Sequence, residues 1–260
     1  MRSLQFVGTA TTLLRLGSFT LLTDPNFLHR GERAYLGYGL SSKRRTEPAL
    51  QPDALPQLDA VLLSHLHGDH FDRVARRRLD HALPVVTTPQ AERRLRRWGF
   101  SQAQALQTWE SHELTRGDEV LRLTSVPGVH GPGPLARLLP QVMGTVLELT
   151  SGDSRPFRLY ISGDTLYRDW LAQVTERVGP LDAAVVHLGG TRILGILVTM
   201  DGEQGADLVG RLRPKITVPV HFDDYGVFRS PRSDFEEQWS QRGLPGELRT
   251  VERGETVQLD

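Results

Sequence analysis

Short apolar and β-branched runs separated by small or Gly-containing breaks open the chain. Leu4 to Gly8, Thr11 to Leu16 and Phe19 to Thr23 predict three strands of a meander. Residues 24 to 57 lose any clear period while carrying Pro, Gly and the aromatics Phe27, Tyr35 and Tyr38, which predicts a long loop with some fixed structure. Beyond it, apolar runs alternate with helical spacing: strands at 60–64 and 84–88, helices near 72–80 and 90–98. A second series predicts strands near 119–126, 142–149 and 157–162, a helix near 166–178, and strands at 182–187 and 215–220. Asp201 and Gln204 fit an N-cap and capping-box pair that opens a helix to about residue 212. Two such similar series point to two β-sheet halves packed together with helices outside.

Composition narrows the classes without changing that picture. A length of 260 residues is within reach of one two-sheet domain, so a single domain over 1–260 is expected, and 38% hydrophobic residues can supply its core. Acidic and basic residues balance at 31 each, so no global field draws in nucleic acid or an anionic membrane, and any such binding must be local. Arg76, Arg77, Arg78, Arg93, Arg94, Arg96 and Arg97 lie on predicted outer helices and read as solvated faces rather than a nucleic-acid patch. No stretch approaches the ~20 apolar residues of a membrane span, and the N-terminus lacks a continuous apolar signal core. A cytoplasmic protein acting on a small molecule is the default expectation, with the oligomeric state left open. The absence of cysteine excludes thiolate zinc sites, iron–sulfur clusters and a cysteine nucleophile, so any metal must use His, Asp or Glu.

The chemistry concentrates in Ser64-His65-Leu66-His67-Gly68-Asp69-His70, directly after an apolar strand. At this composition an H-x-H-x-D-H arises by chance on the order of once in 1,000 such chains. His65 and His67 can project together from an extended turn toward one metal, while Asp69 and His70, entering a helix, face a second. Imidazole with carboxylate and no thiolate suits Zn, Mn or Fe, and two ions ~3.5–4 Å apart can share one activated water. Further candidates each follow a predicted strand: His130 after a Pro-Gly turn, Asp164 within Ser162-Gly163-Asp164-Thr165, and His221 closing Ile216 to Val220. Residues beyond strand carboxyl ends are where α/β sheets place their ligands. His112 competes with His130, but Trp109-Glu110-Ser111-His112 reads as a turn, which favours His130.

These residues resemble the metallo-β-lactamase superfamily over nearly the whole chain. Thr23-Asp24-Pro25, Val142-Met143-Gly144 and Thr199-Met200-Asp201 resemble, within it, the group containing L-ascorbate-6-phosphate lactonase and the phospholipase D that hydrolyses N-acylphosphatidylethanolamine. The resemblance implies an α+β fold, an αββα sandwich of two mixed sheets with helices on the outer faces. It implies His65, His67 and His130 on one metal, Asp69, His70 and His221 on a second, Asp164 bridging, and hydrolysis of a phosphodiester, lactone or related ester. The chain is short for the additional domain of the superfamily's RNA-processing members. His187 stands where the group usually carries an apolar residue, and its role is open between a satisfied buried histidine and a substrate-facing one. Asp24 is either a turn device or a carboxylate that orients a metal-binding His.

The implied mechanism uses two Lewis acids to activate a water, with Asp69 orienting it or accepting its proton. His187, Tyr225 and metal-bound water are the candidates for delivering a proton to the leaving group. A lactonase is the alternative enzyme, and a metal-stabilised binding or regulatory protein without turnover is the alternative of another class.

Overall fold

The computed structural model of the protein describes residues 1–152 and 154–260. Two seven-stranded mixed sheets face each other. The first runs in the order Thr256–Gln258, Arg2–Gly8, Thr11–Leu16, Phe19–Thr23, Ala60–Leu62, Val85–Thr87 and Ala103–Ala105. The second runs Glu247–Leu248, Ile216–Val220, Ala183–His187, Phe157–Ile161, Met143–Ser151, Glu119–Pro127 and Ser111–Arg116.

The period of two along each strand sorts side chains to opposite faces. Leu4, Phe6, Leu14, Leu16, Leu21, Leu62 and Val86 point into the core shared with the second sheet, where they join Leu121, Leu123, Val146 and Leu159. Their alternates Val7, Leu13, Leu22, Val61 and Val85 point outward and pack on Ala75 of the helix Arg73–Arg78 and on Ala91 and Leu95 of the helix Pro89–Arg97. On the far side, Leu208 and Val209 of the helix Gly202–Leu212 and Phe235 of the helix Arg232–Arg242 cover the second sheet. The result is the αββα sandwich. Among the described residues no helix is long and apolar enough to cross a membrane.

Several sequence expectations are corrected. The stretch 24–57 contains a hairpin, Arg33–Gly37 with Leu40–Lys43, turned by Tyr38 and Gly39 at φ of 50° and 77°. Two positive φ values make a tight hairpin turn, which a Tyr in the first position conceals because Asn or Asp is the usual signal there. The helix expected over 166–178 is a 3-10 turn, Asp169–Ala172, followed by the short helix Gln173–Val178. His112 lies in no turn; it pairs opposite Leu123 on the outermost strand of the second sheet. The Asp201 side chain does cap its helix through the Gln204 amide at 3.1 Å, but Gln204 Oε1 accepts the Tyr167 amide at 2.9 Å instead of closing the box.

Candidate metal centre

Strand ends bring the candidate residues to one rim of the sandwich. The segment 64–70 follows Ala60–Leu62 in the first sheet, and Asp164, His187 and His221 stand at the carboxyl ends of three adjacent parallel strands of the second. The Met143 amide donates to the Ser64 carbonyl at 3.0 Å and ties the two rims together.

The loop between His65 and His70 is shaped from behind. Its exit is set by Asp72, whose Oδ1 caps the helix Arg73–Arg78 through the Val74 and Ala75 amides at 2.8 Å. Asp72 Oδ2 also accepts the Phe27 and Leu28 amides. Asn26 Nδ2 donates to the Gly68 carbonyl at 2.9 Å, and the Gly68 amide to the Tyr35 carbonyl at 3.0 Å. A Cβ on Gly68 would lie 2.5 Å from that carbonyl oxygen, so only glycine lets the hairpin back onto the loop.

Two adjoining donor groups result. His65, His67 and His130 offer ring nitrogens within 4.8 Å of one another; a carboxylate oxygen of Asp69 with ring nitrogens of His70 and His221 forms a second such group, and Asp164 joins His65 and His70 between them. His65 Nε2 is 3.1 Å from His67 Nδ1, and His70 Nε2 is 3.1 Å from His221 Nε2. Asp164 Oδ2 lies 3.3 Å from His70 Nε2 and its Oδ1 3.6 Å from His221 Nδ1. All seven sequence candidates are therefore brought together, and His130, not His112, stands beside His65 and His67.

Outer partners fix which ring nitrogen is free. His130 Nδ1 bonds the Val198 carbonyl at 2.9 Å, which leaves Nε2 for the centre. His70 Nδ1 faces Asp24 Oδ2 at 3.2 Å, and Asp24 is itself held by the Ser64 amide and hydroxyl. Thr199 Oγ1 donates to Asp164 Oδ2 at 3.2 Å. The Val198 contact had no sequence signal, because that residue lies in an apolar run with no period; Thr199 enters the sequence only through the Thr199-Met200-Asp201 resemblance, which does not name Asp164 as its partner. His221 itself adopts a left-handed φ of 63°, and a Cβ on Gly189 would come within 2.8 Å of its Nδ1.

The electrostatics suit a cation. Burial pushes His67 down to about 4 and His65 well below the usual imidazole range, so both stay neutral with lone pairs available. Burial favours a protonated Asp24, but His70 and His187 outweigh it and hold its carboxyl at about 2. Three carboxylates, those of Asp164, Asp24 and Asp69, converge on His70 against the effect of its burial and raise it well above its ordinary value. Asp69 Oδ1, Asp164 Oδ1 and His221 Nδ1 are buried without a hydrogen-bond partner. Orphaned donor atoms beside an excess of negative charge are what a pair of divalent ions would satisfy.

A cleft of about 430 Å³ opens over the centre, lined by His67, Asp69, His130 and Asp164 and walled by Leu36, Leu139 and other apolar side chains. Two further candidates lie away from it. Tyr225 is fully buried, with its hydroxyl on Asn26 Oδ1 at 2.9 Å, and His187 is buried with Nδ1 on Ser162 Oγ at 3.1 Å and Nε2 3.6 Å from Asp24. Neither lines the cleft.

Residues 20–222 match the family described as the Beta-lactamase superfamily domain. A metal-dependent hydrolase of Anaeromyxobacter sp. is 30% identical over 84% of this chain and 77% of its own. The N-acyl-phosphatidylethanolamine-hydrolyzing phospholipase D 1 of Caenorhabditis elegans is 23% identical over 91% of this chain and 69% of its own. The crystal structure of a possible metal-dependent hydrolase from Veillonella parvula superposes with a TM-score of 0.82 at 22% identity, covering 99% of both chains. With the sandwich and the clustered His and Asp side chains already in place, these matches make the chain a member of the beta-lactamase superfamily, among its metal-dependent hydrolases.

Proposed function

We propose that the protein is a two-metal hydrolase acting on a phosphodiester. The observation that carries this reading is the pair of adjoining donor groups, His65/His67/His130 and Asp69/His70/His221, with Asp164 between them. Zn, Mn or Fe fits the imidazole and carboxylate donors, and two such ions would supply Lewis acidity and make a cleft water more acidic.

The chain's own residues do the rest. Asp69, a carboxylate on the cleft wall, would hold the proton that water gives up. Asp24, the Val198 carbonyl and Thr199 lock the orientations of His70, His130 and Asp164, so little reorganisation accompanies the reaction. Apolar walls keep bulk water from the buried donors. The phospholipase D relative, named for hydrolysing N-acyl-phosphatidylethanolamine, supports the phosphodiester over a lactone as substrate class.

The test is elemental analysis of protein expressed with supplemented metal, followed by assay on bis(p-nitrophenyl) phosphate and a lactone panel. The expected result is up to two ions per chain and phosphodiester turnover that chelation abolishes and metal restores. Protein without metal whose activity ignores chelator would overturn the reading, and turnover confined to lactones would overturn the substrate class.

A further inference from the structure

The surface around the cleft mouth differs from the rest of the molecule in two independent ways. Among the described residues, six of the eight exposed large apolar side chains gather there: Tyr35, Tyr38, Leu40, Leu138, Leu194 and Ile196. The segments that carry them, residues 33–45, 128–142 and 189–200, contain no Asp or Glu in a chain that has 31 acidic residues in 260. They do contain the exposed cations Arg33, Lys43, Arg45, Arg137 and Arg192. Carboxylates touching this rim are already paired, Glu32 with Arg73 and Asp201 with Arg192.

The backbone presents the apolar groups at the tips. Tyr38 occupies the first position of one two-residue turn, and Leu194 the same position in the small hairpin Arg192–Ile193 with Ile196–Leu197. Both adopt left-handed φ values, 50° and 49°, each followed by a left-handed glycine. Gly, Asn or Asp fits that position with less strain, so a bulky apolar residue there is carried against local preference. Leu194 is 97% exposed and Tyr38 73%. The Tyr38 hydroxyl donates to the Leu138 carbonyl at 2.6 Å, which joins one tip to the 3-10 segment Gly133–Arg137 beside it. Tyr38, Leu40 and Leu194 also line the cleft that holds His67, Asp69, His130 and Asp164.

We propose that these two apexes and the Leu138 turn dock the cleft mouth onto an anionic lipid surface. Apolar tips ringed by cations match the acyl boundary and the charged headgroups of such a surface. A second copy of this chain fits less well, because a two-fold contact would set one cation-rich rim against another. Single-stranded nucleic acid would need a run of stacking aromatics, and Leu40, Leu138, Leu194 and Ile196 are aliphatic. The chain's zero net charge is no obstacle, since the cations are concentrated where contact is made. Docking depends on this surface and not on turnover, so its failure would leave the hydrolase reading untouched.

Flotation with vesicles of phosphatidylcholine, alone or mixed with phosphatidylglycerol, tests the proposal. The protein is expected to float with the mixed vesicles and to be released by salt. Retention should fall at least about tenfold in Leu194→Ser/Ile196→Ser, and again in Lys43→Glu/Arg137→Glu, with melting temperature and metal content unchanged. Four results would overturn it: no retention on either vesicle, retention indifferent to phosphatidylglycerol and salt, equal retention of wild type and both variants, or binding of a single-stranded oligonucleotide in place of vesicles. A concentration-dependent dimer that Leu194→Ser abolishes would assign the surface to a second copy instead.

Discussion

Asp24 Oδ2 lies 3.2 Å from His70 Nδ1, while its Oδ1 accepts the Ser64 amide at 2.8 Å. One carboxylate therefore ties a candidate ligand's ring to the backbone that precedes the histidine motif. Asp24→Ala is expected to leave His70 free to rotate and to weaken metal binding by about 10–100-fold. Metal titration by calorimetry reads this directly, and an unchanged affinity in a folded variant would remove the orienting role.

Asp164 is the carboxylate asked to serve both donor groups. Asp164→Asn keeps the size and one neutral oxygen but loses the charge that offsets repulsion between two divalent ions. Expected are a drop from two bound ions toward one and a fall in turnover of more than about tenfold, or ~1.4 kcal/mol. A variant that keeps both ions, or turns over within that margin at saturating metal, would show that Asp164 does not bridge.

His130 and His112 separate by location. Replacing His130 with Ala should depress metal occupancy, because its Nε2 is left free for the centre by the Val198 bond. The same change at His112, on the outermost strand of the second sheet, should leave occupancy as it was. Elemental analysis of the two variants side by side decides the matter, and the reverse pattern would reassign the ligand.

Asp182 offers a test of acid stability away from the centre. Burial works to raise its carboxyl, but bonds from Lys215, the Arg158 amide and Arg155 outweigh this and hold it below its ordinary 3.8. A depressed folded value means stabilisation that is present above the ordinary carboxylate range and lost as pH falls through the lower folded value. Wild type should exceed Asp182→Asn by at most about 1 kcal/mol at neutral pH, given the exposed partners, with the gap closing in acid. Denaturant midpoints of both proteins across that range provide the measurement; a gap that does not move with pH would discount the carboxylate's charge.

Local patterning was enough for the frame and the core of the site. Short apolar and β-branched runs marked most strands of both sheets, and H-x-H-x-D-H declared four candidate ligands through density of metal-competent side chains alone. His130, Asp164 and His221 were readable because each follows a strand; parallel pairing gathers the ends that carry Asp164 and His221 at one rim, and two antiparallel steps through Met143–Ser151 bring the end of Glu119–Pro127 to the same rim. The cap of the helix at Asp201 was legible for the same reason, since its partner lies only three residues away.

What lay beyond the sequence depends on residues far apart in the chain. The Tyr38 turn was hidden because the stabilising contact is with the Leu138 carbonyl, 100 residues away, rather than in the local turn preference. Tyr225 and His187 read as polar groups near the site, but packing decides exposure, and Asn26 and Ser162 engage them inside the protein. The choice between turn and orienting carboxylate at Asp24 likewise needed the 46-residue step to His70 to close. Only the folded chain could set a rim of apolar tips around the donors, because three segments that share no sequence period meet there.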